Sequence, residues 1–488
     1  MRARIVAALA LALVVSALVL PSRSAAIPAF ARKYETSCLT CHSVYPRLTP
    51  FGEAFRRNGY RFPGVDSDYV KQGTVVLGQE ANRKTFPKSV WPGTIPISSV
   101  LAVGANGQAA YYPKSNASVP RANNGVGYSF DDLVKEGHLW LGGSLDDSVS
   151  VWGELTVAAG GADVEHAQVL FNDLLGPQHS VNVVVGRGFP TLTSLGPHSS
   201  YLGDQRIPTI PVTGIYSTVG PTGTTPLSND PFTLVDNYNG VELTGVLAGR
   251  FDYSAGVSSG KNGGVTTGTL LFNSENAYAH VGYKLGGMRL DGEGDKGPQD
   301  AMRPWAEKAV TLDAFVYHSR EHFDNPTAPP PALGDTSFTI GGAARGQLGS
   351  LELDAGIYAQ RHDRATAGLA SVRADVEWAE LSYVVYPWLV PAIRVERLGL
   401  RPSDGPNVYD VHVMPGIAFL IRPNVKAVLV ANFEAARGYP SDQSGGALAW
   451  SGGNADWGGF VAAGNDTTTL TSARNEFESV KLLFAWAM

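Results

Sequence analysis

Over most of the chain, apolar and polar residues alternate one by one. In SVSVWGELTVA (148–158), Val149, Val151, Leu155 and Val157 fall on one side, and Ser150, Glu154 and Thr156 on the other. In SLELDAGIYA (350–359), Leu351, Leu353, Ala355, Ile357 and Ala359 oppose Glu352, Asp354 and Tyr358. In SVRADVEW (371–378), Val372, Ala374, Val376 and Trp378 oppose Arg373, Asp375 and Glu377, and NVKAVLVANFEA (424–435) keeps Val425, Ala427, Leu429, Ala431 and Phe433 in step. A period of two is the mark of a strand with one apolar and one polar face. About fifteen to sixteen such segments can be counted by this rule. They lie near 74–80, 95–104, 137–145, 148–158, 180–187, 239–247, 250–257, 276–286, 309–318, 337–345, 350–359, 372–385, 390–398, 409–420, 424–435 and 476–488.

Many of these segments reach roughly 9 to 11 residues, enough for a tilted strand to cross a bilayer. Strands of soluble domains average roughly 5 to 6. A charged second face suits a wet lumen better than a packed sandwich core. Connections alternate between short and long, the longest near 188–238 and rich in Pro, Gly, Thr and Ser. The last segment, FESVKLLFAWAM, puts Val480, Leu482, Phe484, Trp486 and Met488 on one face and Lys481 on the other. Outer-membrane barrels commonly end in such a strand, though usually on an aromatic residue rather than Met. No repeat of 20 to 50 residues with fixed landmarks is present, which argues against a propeller or solenoid. The expected fold is all-β: a transmembrane antiparallel β-barrel of about 16 strands over residues 73–488. A secreted β-sandwich is the alternative.

The bulk numbers narrow the function classes. Mean hydropathy is −0.05 and 17% of residues are charged, which fits neither a multi-helix membrane protein nor a disordered chain. The net charge of −6 and the lack of any long basic run argue against nucleic acid as a partner. Residues 1–26 have the form of a secretory signal: Arg2 and Arg4, then IVAALALALVVSALVLP, then the small-residue stretch SRSAA. An uncleaved anchor is the other meaning of that stretch; with either, the rest of the chain is exported.

Between signal and strands lies YETSCLTCHSVYPRLTP (34–50), which holds Cys38 and Cys41, the only two cysteines, and then His42. An exported C-x-x-C pair can be a disulfide or a redox pair. Two cysteines are too few for an all-cysteine zinc site. C-x-x-C-H matches covalent attachment of one haem c, with Cys38 and Cys41 as thioether anchors and His42 as the axial ligand of the iron. Behind it, LTPFGEAFRRNGY predicts a short helix: Thr49 as N-cap, Pro50 at the first position, Gly59 just past the end. Phe51, Ala54, Phe55 and Asn58 share one face, fit either for haem contact or for ordinary packing. Residues 27–72 form the haem segment, too small to cover its own cofactor. A second axial ligand, if present, must come from the strands; Met414 and His412 in YDVHVMPG (409–416) are candidates, beside the other histidines, Met288 and Met302. The segment is therefore expected to dock against the barrel or inside it.

The stretch AIPAFARKYETSCLTCHSVYPRLTPFGEAFRRNGY (26–60) resembles the start of the fused monohaem cytochrome–porins of the bacterial outer membrane, proposed iron oxidases of Fe(II)-oxidising bacteria. Ala26, Pro28, Phe30, Ala31 and Arg32 match the lead-in, Cys38, Cys41 and His42 the haem site, and Pro46, Leu48, Phe51, Gly52, Phe55, Gly59 and Tyr60 the run behind it. The likeness covers about 35 residues; beyond them it is architectural. It implies a haem threaded into the barrel, extracellular Fe(II) as donor, a periplasmic c-type cytochrome or similar carrier as acceptor, and outer-membrane lipid around the wall. The chain is then an electron-transfer protein, Fe(II) oxidase-like if catalytic. A different donor or acceptor, or a porin with a non-catalytic haem plug, are the alternative functions. Glu352, Asp354, Asp375 and Glu377 are expected on the lumen face, either attracting Fe(II) or simply solvated beside Arg373. No nucleophile triad, P-loop or dinucleotide fingerprint suggests another enzyme.

Overall fold

A computed structural model describes residues 29–44, 47–71, 75–76, 84, 94–95, 101–111, 128–130, 133–158, 161–193, 195, 201–202, 212–213, 238–259, 271–292, 303–324, 333–363, 371–403, 408–422, 425–438, 451–452 and 476–487. The signal-like stretch 1–26, most of the long 188–238 connection, Met302 and Met488 lie outside them.

Sixteen long strands form the wall. They are β1 (Leu101–Tyr111), β2 (Glu136–Ser144), β3 (Val149–Ala158), β4 (Gly161–Phe171), β5 (Asn182–Gly188), β6 (Tyr238–Leu247), β7 (Phe251–Ser259) and β8 (Leu271–Gly286). The circuit continues through β9 (Glu307–Asp324), β10 (Leu333–Gly349), β11 (Leu351–Asp363), β12 (Val372–Tyr383), β13 (Leu389–Pro402), β14 (Val408–Arg422), β15 (Val425–Gly438) and β16 (Glu476–Ala487). Each pairs antiparallel with its neighbours in sequence, and β16 returns to β1 with Leu482 opposite Ala109, so the sheet is a closed barrel. Closure leaves no strand edge unpaired.

The outer face is apolar and the inner face polar. On β11, Leu353 is 47% and Ile357 58% exposed, while Glu352, Asp354 and Tyr358 between them are buried. On β9, outward Val310, Leu312, Ala314 and Val316 form a band bracketed by Lys308 below and His318 and Arg320 above. On β16, Leu482 faces out and Ser479 and Lys481 face in. Exposed apolar and buried charged residues invert the plan of a water-soluble protein. A closed barrel built this way is a transmembrane β-barrel, its outer band meeting lipid. A charge placed in that band is expected to be costly: Leu353→Arg should lower unfolding stability in lipid vesicles by about 2–4 kcal/mol if it lies at mid-depth, read by urea titration.

Two strand assignments change. Of 74–80, only Val75–Val76 is described, paired with Thr94–Ile95 in a two-stranded piece outside the barrel; the first barrel strand begins at Leu101 rather than near 95. The strand Gly161–Phe171 is not expected from alternation. A bulge opposite Glu154 and Leu155 inserts Glu165, so Val164 points out before it and Ala167, Val169 and Phe171 after it. The period-two pattern therefore breaks in mid-strand.

Asp375 and Glu377 do not line the lumen. Both point outward, Glu377 opposite Ile357 and Asp375 opposite Ala359, in ion pairs Arg373–Asp375 (3.0 Å), Arg401–Asp375 (2.9 Å) and Arg397–Glu377 (3.2 Å). Ala374, Val376 and Trp378 take the inner face and are buried. Toward this end the outer face leaves the apolar band and turns polar, so the polarity rule reverses. Glu352 and Asp354, at the other end, do face inward.

That other end carries the short connections 145–148, 248–250, 350, 384–388 and 423–424, together with the start of β1 and the end of β16. The long connections 112–135, 189–237 and 439–475 gather at the opposite end.

Candidate functional site

The segment before the barrel carries the helices α1 (Ala29–Tyr34), α2 (Cys38–Cys41) and α3 (Pro50–Arg57), with a small ladder pairing 42–44 to 47–48. In α2, Ser37 caps the N-terminus by accepting from Leu39 N at 3.2 Å. One helical turn puts Cys38 and Cys41 on the same side. His42 follows in extended conformation, its N–H donating to the Cys38 carbonyl. Thr49 joins this motif to α3. Its N–H donates to the Cys41 carbonyl (2.9 Å), its hydroxyl donates to the Thr40 carbonyl (2.7 Å), and its Oγ1 accepts from Gly52 N (3.1 Å) as the expected N-cap.

Gly52 has to be glycine, because a Cβ there would overlap the Cys41 carbonyl. Gly52→Ala is expected to destabilise the segment by roughly 1–3 kcal/mol, the range for overpacking, seen as faster proteolysis between residues 29 and 71. Gly59 ends α3 in the left-handed region (φ 69°), and a Cβ there would strike the side chain of Asn172. Tyr60 is also left-handed (φ 60°), which aims its ring between Phe30 and Trp152 of β3, with stacked centroids at 5.8 and 4.8 Å. Phe55 meets Phe30 at 5.0 Å and Tyr34 stacks on Phe62 at 4.1 Å, so the α3 face supplies an aromatic core.

This segment plugs the barrel at the short-turn end. Arg47 reaches β11, pairing with Asp354 at 3.2 Å and with Glu352, its guanidinium 4.5 Å from the Tyr201 ring. Ser43 and Tyr201 share a hydrogen bond of 3.1 Å. Glu53 meets Arg345 of β10 at 3.4 Å, Arg57 meets Asp252 of β7 at 3.3 Å, and Arg61 meets Asp173 at 3.0 Å. On α1, Lys33 donates to Ser144 of β2 at 2.5 Å, and Ser144 in turn donates to Asp66 at 2.6 Å. Contacts therefore run to strands around the whole circumference. None of these wall residues except Glu352 and Asp354 stood out in the sequence, because a single charge on an alternating strand carries no mark of its partner.

Cys38, Cys41 and His42 are half-buried, and the cysteines are not joined to each other. Burial pushes the Cys41 thiol up to about 12 and raises Cys38 as well. A redox C-x-x-C works through a lowered thiol pKa, the opposite direction. Among the described residues, the converging His, Asp and Glu groups are Asp252–His280–Asp313 and Glu154–Glu165–His166, which include neither cysteine. Two unjoined thiols on one helical face, an imidazole directly after them and an aromatic floor do fit a covalently held haem. Arg56 Nε is buried and without a hydrogen-bond partner, while Nη2 of the same guanidinium pairs with Glu53 at 3.3 Å.

His412 and Met414 both face inward on β14, a strand that touches the 42–44 stretch along part of its length. His412 is 1% exposed and shares a 3.0 Å hydrogen bond with Asn432. Met414 is half-buried. Met288 lies in the β8–β9 connection, its backbone N–H donating to Glu307.

No family model matches the chain, and no curated protein does. Among solved structures it is similar to OmpT of Vibrio cholerae (10% identity, TM-score 0.45, covering 80% of this chain and 97% of that one). It is also similar to an anion-selective porin from Comamonas acidovorans (13%, TM-score 0.47, 80% and 98%) and to Salmonella typhi OmpF in complex with daunomycin (8%, TM-score 0.46, 80% and 97%). Closure of the sheet and its apolar outer face identify the barrel independently of these likenesses.

Proposed function

We propose that this barrel is an electron port of the outer membrane, taking electrons from extracellular Fe(II) and delivering them to a periplasmic c-type cytochrome or similar carrier. The observation that carries this reading is that the C-x-x-C-H segment is itself the plug, held inside the wall by buried ion pairs. Cys38 and Cys41 would hold one haem c through thioethers, and His42 would ligate its iron. Met414 and His412 would be the candidates for a second ligand; the hydrogen bond to Asn432 engages only Nδ1 of His412, as in many ligating histidines. Bound there, haem c supplies a one-electron couple.

The chain's own residues do the rest. Arg47, Glu53, Arg57 and Arg61 fix the segment to the wall and close the lumen to solutes. Short connections face the periplasm in barrels of this kind. That orientation puts the plug within reach of a periplasmic carrier and the long loops toward the donor, after export by residues 1–26. An insoluble ferric product then stays outside.

The test is the optical spectrum of the detergent-solubilised protein under anaerobic Fe(II), with dithionite as reference. Fe(II) is expected to produce the reduced α-band. If dithionite produces it and Fe(II) does not across a range of pH, another donor replaces iron. If, in addition, the vesicle-inserted protein passes small solutes freely, the chain is a porin with a non-catalytic haem rather than an electron port.

A further inference from the structure

From the side chains facing the lumen beyond the plug, we infer a binding site for one divalent first-row transition-metal cation, built from Glu154 of β3 and Glu165 and His166 of β4, with His138 of β2 orienting Glu154. Glu154 sits at the centre, with Oε1 3.0 Å from His138 Nδ1 and Oε2 3.1 Å from His166 Nδ1. The Glu154–His166 spacing lies close to the roughly 3.0–3.4 Å that separates neighbouring ligands around an octahedral or tetrahedral ion with bonds near 2.1 Å. One ligand atom each from Glu154, Glu165 and His166 lie within 4.8 Å of one another.

The bulge is the second, independent observation. Adjacent residues of a strand ordinarily point to opposite faces. Val164 and Ala167 both face out, so the extra residue turns Glu165 and His166 to the lumen together. Bulges that re-aim a side chain in this way concentrate beside functional sites.

Charge separates this cluster from the other converging group. Asp252 of the Asp252–His280–Asp313 group is already neutralised by Arg57 of the plug at 3.3 Å. Among the described residues no lysine or arginine pairs with Glu154 or Glu165. Imidazole nitrogen with carboxylate oxygen suits Fe²⁺, Co²⁺ or Zn²⁺ better than Mg²⁺ or Ca²⁺. The site lies on the long-loop side of the plug, and rings lead from it: His166 meets Trp152 edge-on at 6.4 Å, and Trp152 stacks on Tyr60. As the resting place of the donor cation, its role rests on the electron-port reading; its binding of metal does not.

The experiment titrates the full-length haem-loaded protein in detergent with Co²⁺ alone, following visible ligand-field bands. One Co²⁺ per chain is expected, with affinity at least about tenfold weaker in Glu154→Gln and in His166→Gln, and unchanged in Asp375→Asn on the outer face. An unaltered haem spectrum and dithionite reduction show that each variant is folded. Wild-type affinity in both variants, or no Co²⁺ bound at all, overturns the site. Co²⁺ bound as expected while Fe(II) leaves the haem oxidised overturns the electron-port reading instead and leaves the cation site standing.

Discussion

A Cys38→Ala/Cys41→Ala double variant is expected to lose all covalently held haem while keeping its barrel. On the proposed reading the thioethers are the covalent link, so no haem-stained band should survive a denaturing gel. The wall should be unaffected, because the anchors lie in α2, whose hydrogen bonds run to Ser37, His42 and Thr49 within the segment rather than to strands. Heat-modifiable gel mobility of the inserted barrel checks that point. Each single variant should retain haem through its remaining sulfur. His42→Ala should retain it too, with a changed axial field and therefore a shifted absorption spectrum and potential. A wild-type chain that stays haem-free in a host competent for c-type maturation would sink the assignment of all three residues.

Arg47→Ala should open the lumen. Arg47 is 2% exposed and faces two carboxylates, Glu352 and Asp354, with Tyr201 over its guanidinium. Removing one partner of a buried pair leaves uncompensated charge and costs about 3–5 kcal/mol. Arg345 remains beside Glu352 (3.1 Å) and Asp354 (3.0 Å), which moves the expectation toward the lower end. A plug loosened by that much should leave its seat, so that liposomes containing the variant swell in small sugars and protease cuts residues 29–71. Arg47→Lys keeps the charge but not the two-pronged geometry and should fall between. Swelling of Arg47→Ala at the wild-type level would show that the plug is held without this contact.

The strands of the wall other than β4, the length of α3 with its caps at Thr49 and Gly59, and the C-x-x-C-H motif were legible in the sequence. These depend on spacings of one to four residues along a single chain, and covalent geometry turns such spacings directly into faces, turns and neighbours. Alternation also told which residues share a face on β3, β11 and β16. It did not tell which face is inside at every height. Asp375 and Glu377 look like lumen residues by pattern, yet they lie where the outer face has passed from lipid to water.

Only the tertiary structure decided what meets across the barrel. Arg47 and Asp354 are 307 residues apart, and no local rule connects them. The convergence of His138, Glu154 and His166 depends on three strands in register and on one inserted residue, and the insertion erased the very period by which β4 could have been found. Periodicity is a property of one strand, whereas the plug's seat and the lumen cluster arise from closing sixteen strands into a ring, which brings distant polar faces toward a common axis.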